Sequence, residues 1–123
     1  MKPTVLVVED HDDARIVVTR FLELSGYDVS SAINGSDALD KLKSGLRPCL
    51  ILLDLMMPVM DGVTFGERLR ALPDGVVAQT PVVLLTGAHD VEAAKQRIQA
   101  VEVIRKPASY VRVLDVVEHH CRQ

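Results

Sequence analysis

The chain has no tryptophan, two tyrosines, two phenylalanines and two cysteines among its 123 residues. A small disulfide scaffold needs more cysteines than this, so an aliphatic core must hold the fold together. Cys49 and Cys121 stand apart without the spacing of a metal motif. We expect both to be free thiols in a reducing compartment.

The chain also lacks an excess of basic residues and has no long apolar run. Lys and Arg number 14 against 17 Asp and Glu, which gives a net charge of −3. A phosphate-backbone binder needs a basic face, so nucleic acid is not expected as a direct partner. No apolar run reaches the roughly 20 residues that span a bilayer, and Met1-Lys2-Pro3-Thr4 leads into a strand rather than a signal sequence. We expect a cytoplasmic protein without a membrane partner.

Apolar runs alternate with amphipathic stretches along the whole chain. The apolar runs are 4–8, 28–33, 50–53, 82–85 and 101–104, and helical periodicity follows at 12–25, 36–45, 62–71, 90–100 and 109–121. The stretch 72–80 contains Pro73, Asp74 and Gly75 and is expected to be a surface loop.

Strict alternation of strand and helix predicts a parallel sheet with helices on both faces, because each parallel pair needs a right-handed crossover. Five such units predict a doubly wound, flavodoxin-like α/β domain with strand order 2-1-3-4-5. The first and third strands then lie side by side where the winding reverses, and ligands bind beyond the carboxyl ends of the strands at that point.

Polar residues come directly after four of the predicted strands. Glu9 and Asp10 end the first, Asp54 the third and Thr86 the fourth, and Lys106 follows the fifth. Clustered carboxylates raise one another's pKa unless a cation lies among them. An oxygen-rich cluster with few ligands suits Mg²⁺, which keeps several waters and a phosphoryl oxygen. The pattern favours a metal-dependent phosphoryl site with Asp54 as the acceptor.

Each of these residues also has an ordinary explanation. Asp10, Asp12 and Asp13 are typical acids at a helix N-terminus. Thr86 is an ordinary strand end, and Lys106 is typical of a solvated surface. Because all of these residues are expected at one edge of the sheet, a common site explains them better than separate ordinary roles do.

Four segments resemble the receiver domain of two-component response regulators, namely 5–10, 54–62, 84–87 and the pair Lys106-Pro107. The resemblance covers essentially the whole chain. It implies that Asp54 takes a phosphoryl group from a phosphohistidine on a sensor histidine kinase or histidine phosphotransfer protein. It also implies the remaining roles: Mg²⁺, with Mn²⁺ possible, on Glu9, Asp10, Asp54 and the Met56 backbone carbonyl, and Thr86 and Lys106 on the phosphoryl oxygens.

The family usually joins the receiver to an output domain, and this chain stops after its fifth predicted helix. We expect residues 1–123 to form a receiver domain without an output domain. It is expected to be a signalling domain rather than an enzyme, apart from its own phosphorylation and slow dephosphorylation, and to act by binding an unknown downstream protein. The expected readout surface combines the fourth predicted helix, the fifth strand and the fifth predicted helix, with Arg97, Arg105, Tyr110 and Arg112.

Some positions modify what the resemblance implies. Val103 stands where receivers often carry an aromatic residue, so the switch is expected to use backbone shifts of residues 86–90 or repacking around Tyr110 rather than a rotating ring. Ala108 stands where phenylalanine is common, so packing under that loop is expected to be lighter. In receivers the residues two after the acceptor aspartate and two after the threonine flank the path of water attacking the acyl phosphate, and here they are Met56 and Ala88. Neither side chain can hydrogen-bond a water molecule, so slow self-dephosphorylation is expected.

Three other functions fit parts of the pattern. A haloacid-dehalogenase-type phosphatase needs a second aspartate two residues after the first as general acid, where this chain has Met56. A flavodoxin-like cofactor binder would cradle phosphate after the first strand, where Glu9 and Asp10 repel it. A receiver that has lost phosphorylation and works only as an interaction module stays open.

Overall fold

The computed structural model describes residues 2–56, 60–87 and 91–121. The strands are β1 (Thr4–Val8), β2 (Asp28–Ala32), β3 (Leu50–Leu53), β4 (Val82–Thr86) and β5 (Glu102–Arg105). The helices are α1 (Asp12–Leu24), α2 (Gly35–Lys43), α3 (Gly62–Arg70), α4 (Gly75–Ala78), α5 (Glu92–Ile98) and α6 (Tyr110–Cys121). All pairings are parallel and the strand order is β2-β1-β3-β4-β5. The predicted fold class and strand order are confirmed.

Helices cover both faces of the sheet, and the central strands are apolar at nearly every position. Successive strand side chains point to opposite faces. Val5 and Val7 of β1 therefore pack with α1 and α6, whereas Leu6 and Val8 pack with α2, α3 and α5. Burial on both faces fixes the register of the sheet, and with it the positions of the residues that follow each strand.

One expectation about a loop was wrong, because the stretch 72–80 contains the one-turn helix α4. Asp74 caps this helix by accepting hydrogen bonds from the backbone N–H groups of Val76 at 3.0 Å and Val77 at 3.3 Å. Pro73 lies in the bend before the helix and Gly75 begins the helix, and the aspartate between them satisfies N–H groups that a helix start leaves unpaired.

Arg70, at the end of α3, connects α4 with the end of α5. Its guanidinium donates to the carbonyls of Ala78 and Thr80 at 2.9 and 2.8 Å, and to those of Ile98 and Gln99 at 2.9 and 3.2 Å. Gln99 ends α5 in the left-handed region, with φ 56°. α5 is shorter than the predicted helix 90–100, of which position 90 lies outside the described residues.

In this structure the two cysteines are not the free thiols that the sequence predicts. Cys49, directly before β3, and Cys121, in the last turn of α6, form a disulfide with Cα atoms 5.4 Å apart. The two residues are 72 positions apart in sequence, and they meet because α6 packs against the sheet face that contains Leu50 and Val5. Within the described ranges no helix is both long and apolar enough to cross a bilayer.

Candidate metal and phosphoryl site

The carboxyl edge of the sheet brings the predicted carboxylates together. Val8 pairs in register with Leu53, and the backbone N–H of Asp54 donates to the Val8 carbonyl at 3.0 Å. One carboxylate oxygen from each of Glu9, Asp10 and Asp54 lies within 4.8 Å of the other two. Elsewhere in the described part of the chain no three metal-ligating side chains gather in this way.

Asp10 reaches this cluster because it lies outside α1. His11 is the N-cap residue and accepts from the N–H of Ala14 at 3.4 Å. Asp12 pairs with Arg15 at 2.6 Å within the first turn. The ordinary explanation as first-turn acids therefore applies to Asp12 and Asp13, whereas Asp10 contributes its carboxylate to the cluster.

Two of the three carboxylates are buried, and a single ammonium group faces them. Glu9 and Asp54 are 5% and 7% exposed. Lys106 donates a 2.9 Å hydrogen bond to Oε1 of Glu9 and lies 3.7 Å from Oδ2 of Asp54. Oε2 of Glu9 is buried without a hydrogen-bond partner, a situation that costs free energy in the folded state.

These contacts shift two pKa values in ways that reflect crowded negative charge. Burial, followed by the neighbouring Asp54 carboxylate, raises the pKa of Glu9 from 4.5 to about 7, although Lys106 acts in the opposite direction. Burial lowers the pKa of Lys106, but its hydrogen bond to Glu9 and the charges of Asp54 and Glu9 outweigh this and raise it overall. Lys106 therefore stays charged at neutral pH, while Glu9 holds a proton for part of the time.

The donor set fits a divalent cation of the hard, oxygen-binding type. Three carboxylates and one ammonium leave an excess of two negative charges when all are ionised. The unpartnered Oε2 of Glu9 is a ready ligand, and no sulfur or imidazole belongs to the cluster. Mg²⁺ prefers such oxygen ligands and is bound by few protein groups at a time.

Thr86 and Lys106 are held at the same edge by the pairing of β4 and β5. Thr86 lies opposite Arg105, and the backbone N–H of Lys106 donates to the Thr86 carbonyl at 2.9 Å. The Thr86 side chain is fully buried. The peptide bond between Lys106 and Pro107 is cis.

Met56 contacts Asp54 through its backbone. Its N–H donates to Oδ1 of Asp54 at 3.2 Å, which orients the carboxylate, and its side chain is 73% exposed. The metal-binding role of the Met56 carbonyl stays a prediction. Ala88, predicted to flank the water path, lies outside the described residues.

Gly62 allows the chain to pass close behind Asp54. A Cβ atom at this position would lie 2.8 Å from Cα of Leu55 and 2.9 Å from the Asp54 carbonyl oxygen. The Gly62 N–H also donates to the Leu55 carbonyl at 3.0 Å. Any larger residue would push on the backbone that carries the candidate acceptor.

Arg15 is a site residue that sequence reasoning missed. Its guanidinium donates to the Glu9 carbonyl at 3.0 Å and to Asp12 at 2.6 Å, so it holds the acidic loop against α1. The three-residue spacing between Asp12 and Arg15 is the only sequence signal for this contact.

A cavity of about 180 Å³ lies between the sheet and the helices α1 and α6, and it is lined in part by Glu9, Asp54 and Lys106 of the site. Its mainly apolar walls include Val7, Val18, Leu52, Leu85, Ala108 and Tyr110. Ala108 lies in the wall of this cavity, and the lighter packing expected there stays a prediction.

The four predicted readout residues lie on α5, β5 and α6, and all are exposed. Arg97 pairs with Glu67 of α3 at 2.9 Å, and Arg112 pairs with Glu102 of β5 at 2.9 Å. Tyr110 turns toward α1, where its ring centroid lies 5.2 Å from that of Phe21. The readout surface formed with Arg105 stays a prediction.

The family model of the response regulator receiver domain matches residues 5–118. This chain is a response regulator receiver domain. Such domains are signalling components of two-component systems, as the resemblance implied. The match counts against the phosphatase and cofactor-binding alternatives, which belong to other families.

Curated relatives share the receiver domain within longer proteins. The transcriptional regulatory protein PrrA of Mycobacterium leprae is 42% identical over 90 residues, covering 73% of this chain and 36% of the relative. Protein-glutamate methylesterase/protein-glutamine glutaminase 1 of Anaeromyxobacter dehalogenans is 39% identical over 111 residues, covering 87% of this chain and 30% of the relative. The chain thus spans about a third of the length of these curated relatives.

Solved receiver structures have the same fold over nearly the whole chain. Chemotaxis protein CheY4 of Vibrio cholerae is 28% identical with a TM-score of 0.88, covering 98% of this receiver and 99% of that chain. The signal receiver domain of a histidine kinase from Syntrophus aciditrophicus is 32% identical with a TM-score of 0.84, covering 97% and 89%. The flavodoxin-like architecture predicted from strand alternation is therefore shared with solved receivers.

Proposed function

We propose that this receiver domain accepts a phosphoryl group on Asp54 from a phosphohistidine of a sensor histidine kinase or histidine phosphotransfer protein. The modified domain then signals by binding a downstream protein, in the cytoplasm. The observation that carries the proposal is the carboxylate cluster of Glu9, Asp10 and Asp54, whose oxygens lie within 4.8 Å of one another and whose neighbour is the Lys106 ammonium.

In the transfer a carboxylate oxygen of Asp54 attacks phosphorus and forms a P–O bond. The P–N bond to the donor imidazole breaks, and its electron pair returns to the ring nitrogen. Asp54 is a suitable nucleophile because it is 7% exposed, so water solvates it poorly, and the Met56 N–H orients it through one oxygen. A positioned carboxylate is an established acceptor in acyl phosphate chemistry.

The negative charge of the transferred group needs several partners. Lys106, 3.7 Å from Asp54, would move from Glu9 toward a phosphoryl oxygen, and the Thr86 hydroxyl would donate to another. Glu9, Asp10, Asp54 and the Met56 carbonyl would hold Mg²⁺, with Mn²⁺ as a possible substitute. When bound, the ion supplies the positive charge that lets a phosphoryl group approach a cluster of carboxylates.

The downstream protein would recognise the phosphorylated state at the surface formed by α5, β5 and α6. The Lys106 N–H donates a 2.9 Å hydrogen bond to the Thr86 carbonyl. Through this hydrogen bond a movement at the end of β4 would be passed on to β5. Val103, in the middle of β5, has no ring to rotate, so the change is expected in the backbone. Charge removal at Arg97 and Arg112 should weaken partner binding without changing phosphorylation of Asp54.

Intact mass spectrometry tests the chemistry directly. The domain is incubated with acetyl phosphate in the presence and absence of Mg²⁺, together with the Asp54→Asn and Asp40→Asn variants. Asp40 is an exposed acid on α2, so the second variant makes the same chemical change away from the site. We expect one phosphoryl group to be gained by the wild type and Asp40→Asn, only with Mg²⁺, and none by Asp54→Asn.

The alternative functions predict other outcomes. A receiver that works only as an interaction module would gain no mass under any condition. A second modified position would show as a gain in Asp54→Asn, and either result would contradict the proposal.

A further inference from the structure

The disulfide connects two parts of the receiver that the proposed function uses differently. Cys49 precedes β3, the strand that ends next to Asp54, and Cys121 lies in the last turn of α6. α6 contributes Tyr110 and Arg112 to the predicted readout surface. A bond between these two cysteines therefore ties the readout helix to the acceptor strand.

We propose that Cys49 and Cys121 are a reversible thiol–disulfide pair, which fixes the end of α6 to the sheet when oxidised and releases it when reduced. The proposal rests on the proposed function in one respect: a phosphorelay protein works in the cytoplasm, which keeps most thiols reduced. In such a compartment the pair is a dithiol at rest and a disulfide under oxidising conditions.

The surroundings of the two sulfurs suit both states. The Cα separation of 5.4 Å allows the bond without backbone movement. Cys121 is 4% exposed among the apolar side chains of the α6 face, where a reduced cysteine packs as a small hydrophobic residue. Sγ of Cys49 lies 3.3 Å from the Thr4 carbonyl oxygen, which would accept the S–H of the thiol form.

The oxidant is a low-molecular-weight disulfide, which reacts with the two cysteines in two thiol–disulfide exchange steps. The thiolate of Cys49, the more exposed of the two, attacks one sulfur and displaces the first small thiolate. The Cys121 thiolate then attacks Cys49 in the mixed disulfide and displaces the second. In sum, two protein thiols lose two protons and two electrons, and one small disulfide becomes two small thiols. Reduction by an excess of the same small thiol reverses both steps.

Reduction should loosen only the end of α6. Val113, Val116 and Val117 remain buried in the apolar cluster and hold the middle of the helix. The last turn, which includes exposed Glu118 and His119, loses its covalent connection to the sheet. Helix ends without such connections open more often than buried middles.

The test uses the full chain equilibrated in buffers of oxidised and reduced glutathione. Alkylation after unfolding counts free thiols, and amide hydrogen exchange followed by mass spectrometry reports opening of α6. We expect no free thiols in the oxidised buffer and two in the reduced buffer. Exchange in the last turn of α6 should rise at least about tenfold on reduction, and the thermal midpoint should fall by more than about 5 °C.

Variants distinguish the effect of the disulfide from other effects of the glutathione buffers. Cys121→Ala and Cys49→Ser should exchange rapidly at the end of α6 in both buffers, as the reduced wild type does. Asp54→Asn should respond to glutathione as the wild type does, so a failed phosphorylation test would leave this result unaffected. Thiols that stay free in the oxidised buffer would overturn the proposal. A bond that forms without slowing exchange at the end of α6 would overturn the release of that helix.

Discussion

Lys106 donates a 2.9 Å hydrogen bond to Glu9, a residue 97 positions earlier in the chain. The contact exists because β1 and β5 run parallel and end at the same edge of the sheet. Asp54 lies between them, 3.7 Å from the same ammonium. Lys106 thus compensates charge on two carboxylates before any metal or phosphoryl group binds.

Lys106→Met should destabilise the metal-free domain and slow its phosphorylation. Removing the ammonium leaves Glu9 and Asp54 uncompensated. The free energy of unfolding should fall by about 1–2 kcal/mol at neutral pH, since solvent screens part of the pair. Urea denaturation with a chelator measures this change. Lys41→Met is the matched control, because Lys41 lies 3.8 Å from Asp37 in an exposed pair within α2 and should change stability by less than about 0.5 kcal/mol.

A dependence of stability on pH follows from Glu9, whose pKa is raised from 4.5 to about 7 in the folded domain. Between these values the folded state binds more protons than the unfolded state. Stability from this group is therefore fully present below about pH 4.5 and is lost as the pH rises through about 7. We expect the metal-free domain to lose roughly 2 kcal/mol more between pH 5 and pH 8 than Glu9→Gln does.

Denaturant titrations of the wild type and Glu9→Gln across this range give the difference directly. Mg²⁺ should stabilise the wild type more at pH 8 than at pH 5, because protons compete with the ion for Glu9. Equal pH slopes for the two proteins would show that Glu9 is not the group responsible.

The sequence predicts much of this arrangement because periodicity determines the strands and parallel topology then determines what shares an edge. This reasoning predicts the clustering of Asp54, Glu9 and Lys106, and the comparisons with known proteins identify the family. The pairing of Cys49 with Cys121 could not be predicted in this way, because it depends on how α6 packs on the sheet. α4 depends on a single cap by Asp74 within a sequence rich in turn residues. Neither the disulfide nor this cap leaves a periodic signal in the sequence.

Gly62→Ala should disturb the backbone behind Asp54. The added Cβ would lie 2.8 Å from Cα of Leu55 and 2.9 Å from the Asp54 carbonyl oxygen, so the loop must shift. We expect a loss of about 1–3 kcal/mol in stability and slower gain of the phosphoryl group. Gly75→Ala is the control, since nothing lies within 4 Å of a Cβ there and alanine favours a helix. A Gly62→Ala domain as stable as the control would contradict the close approach.

Arg70→Met, at a half-buried position, should destabilise the domain. It removes the donor to four carbonyls, two of which belong to Ala78 and Thr80 and two to Ile98 and Gln99. Because solvent can reach part of these carbonyls, we expect a loss of about 2–3 kcal/mol rather than the sum of four bonds. Arg20→Met, on the exposed side of α1, makes the same chemical change and should be close to neutral. Thermal unfolding of both variants measures the two losses of stability.

The lifetime of the aspartyl phosphate tests the side chain two residues after Asp54. Met56 is 73% exposed beside the acceptor and cannot orient an attacking water molecule. We expect slow loss of the phosphoryl group from the wild type and loss at least about tenfold faster from Met56→Glu, because a carboxylate can orient and deprotonate water. Val76→Glu is the control, since Val76 is 78% exposed and lies on α4, away from Asp54. Phosphate release after removal of the donor gives the rates. Rapid loss from the wild type that Met56→Glu leaves unchanged would mean that water reaches the acyl phosphate by a path that Met56 does not control.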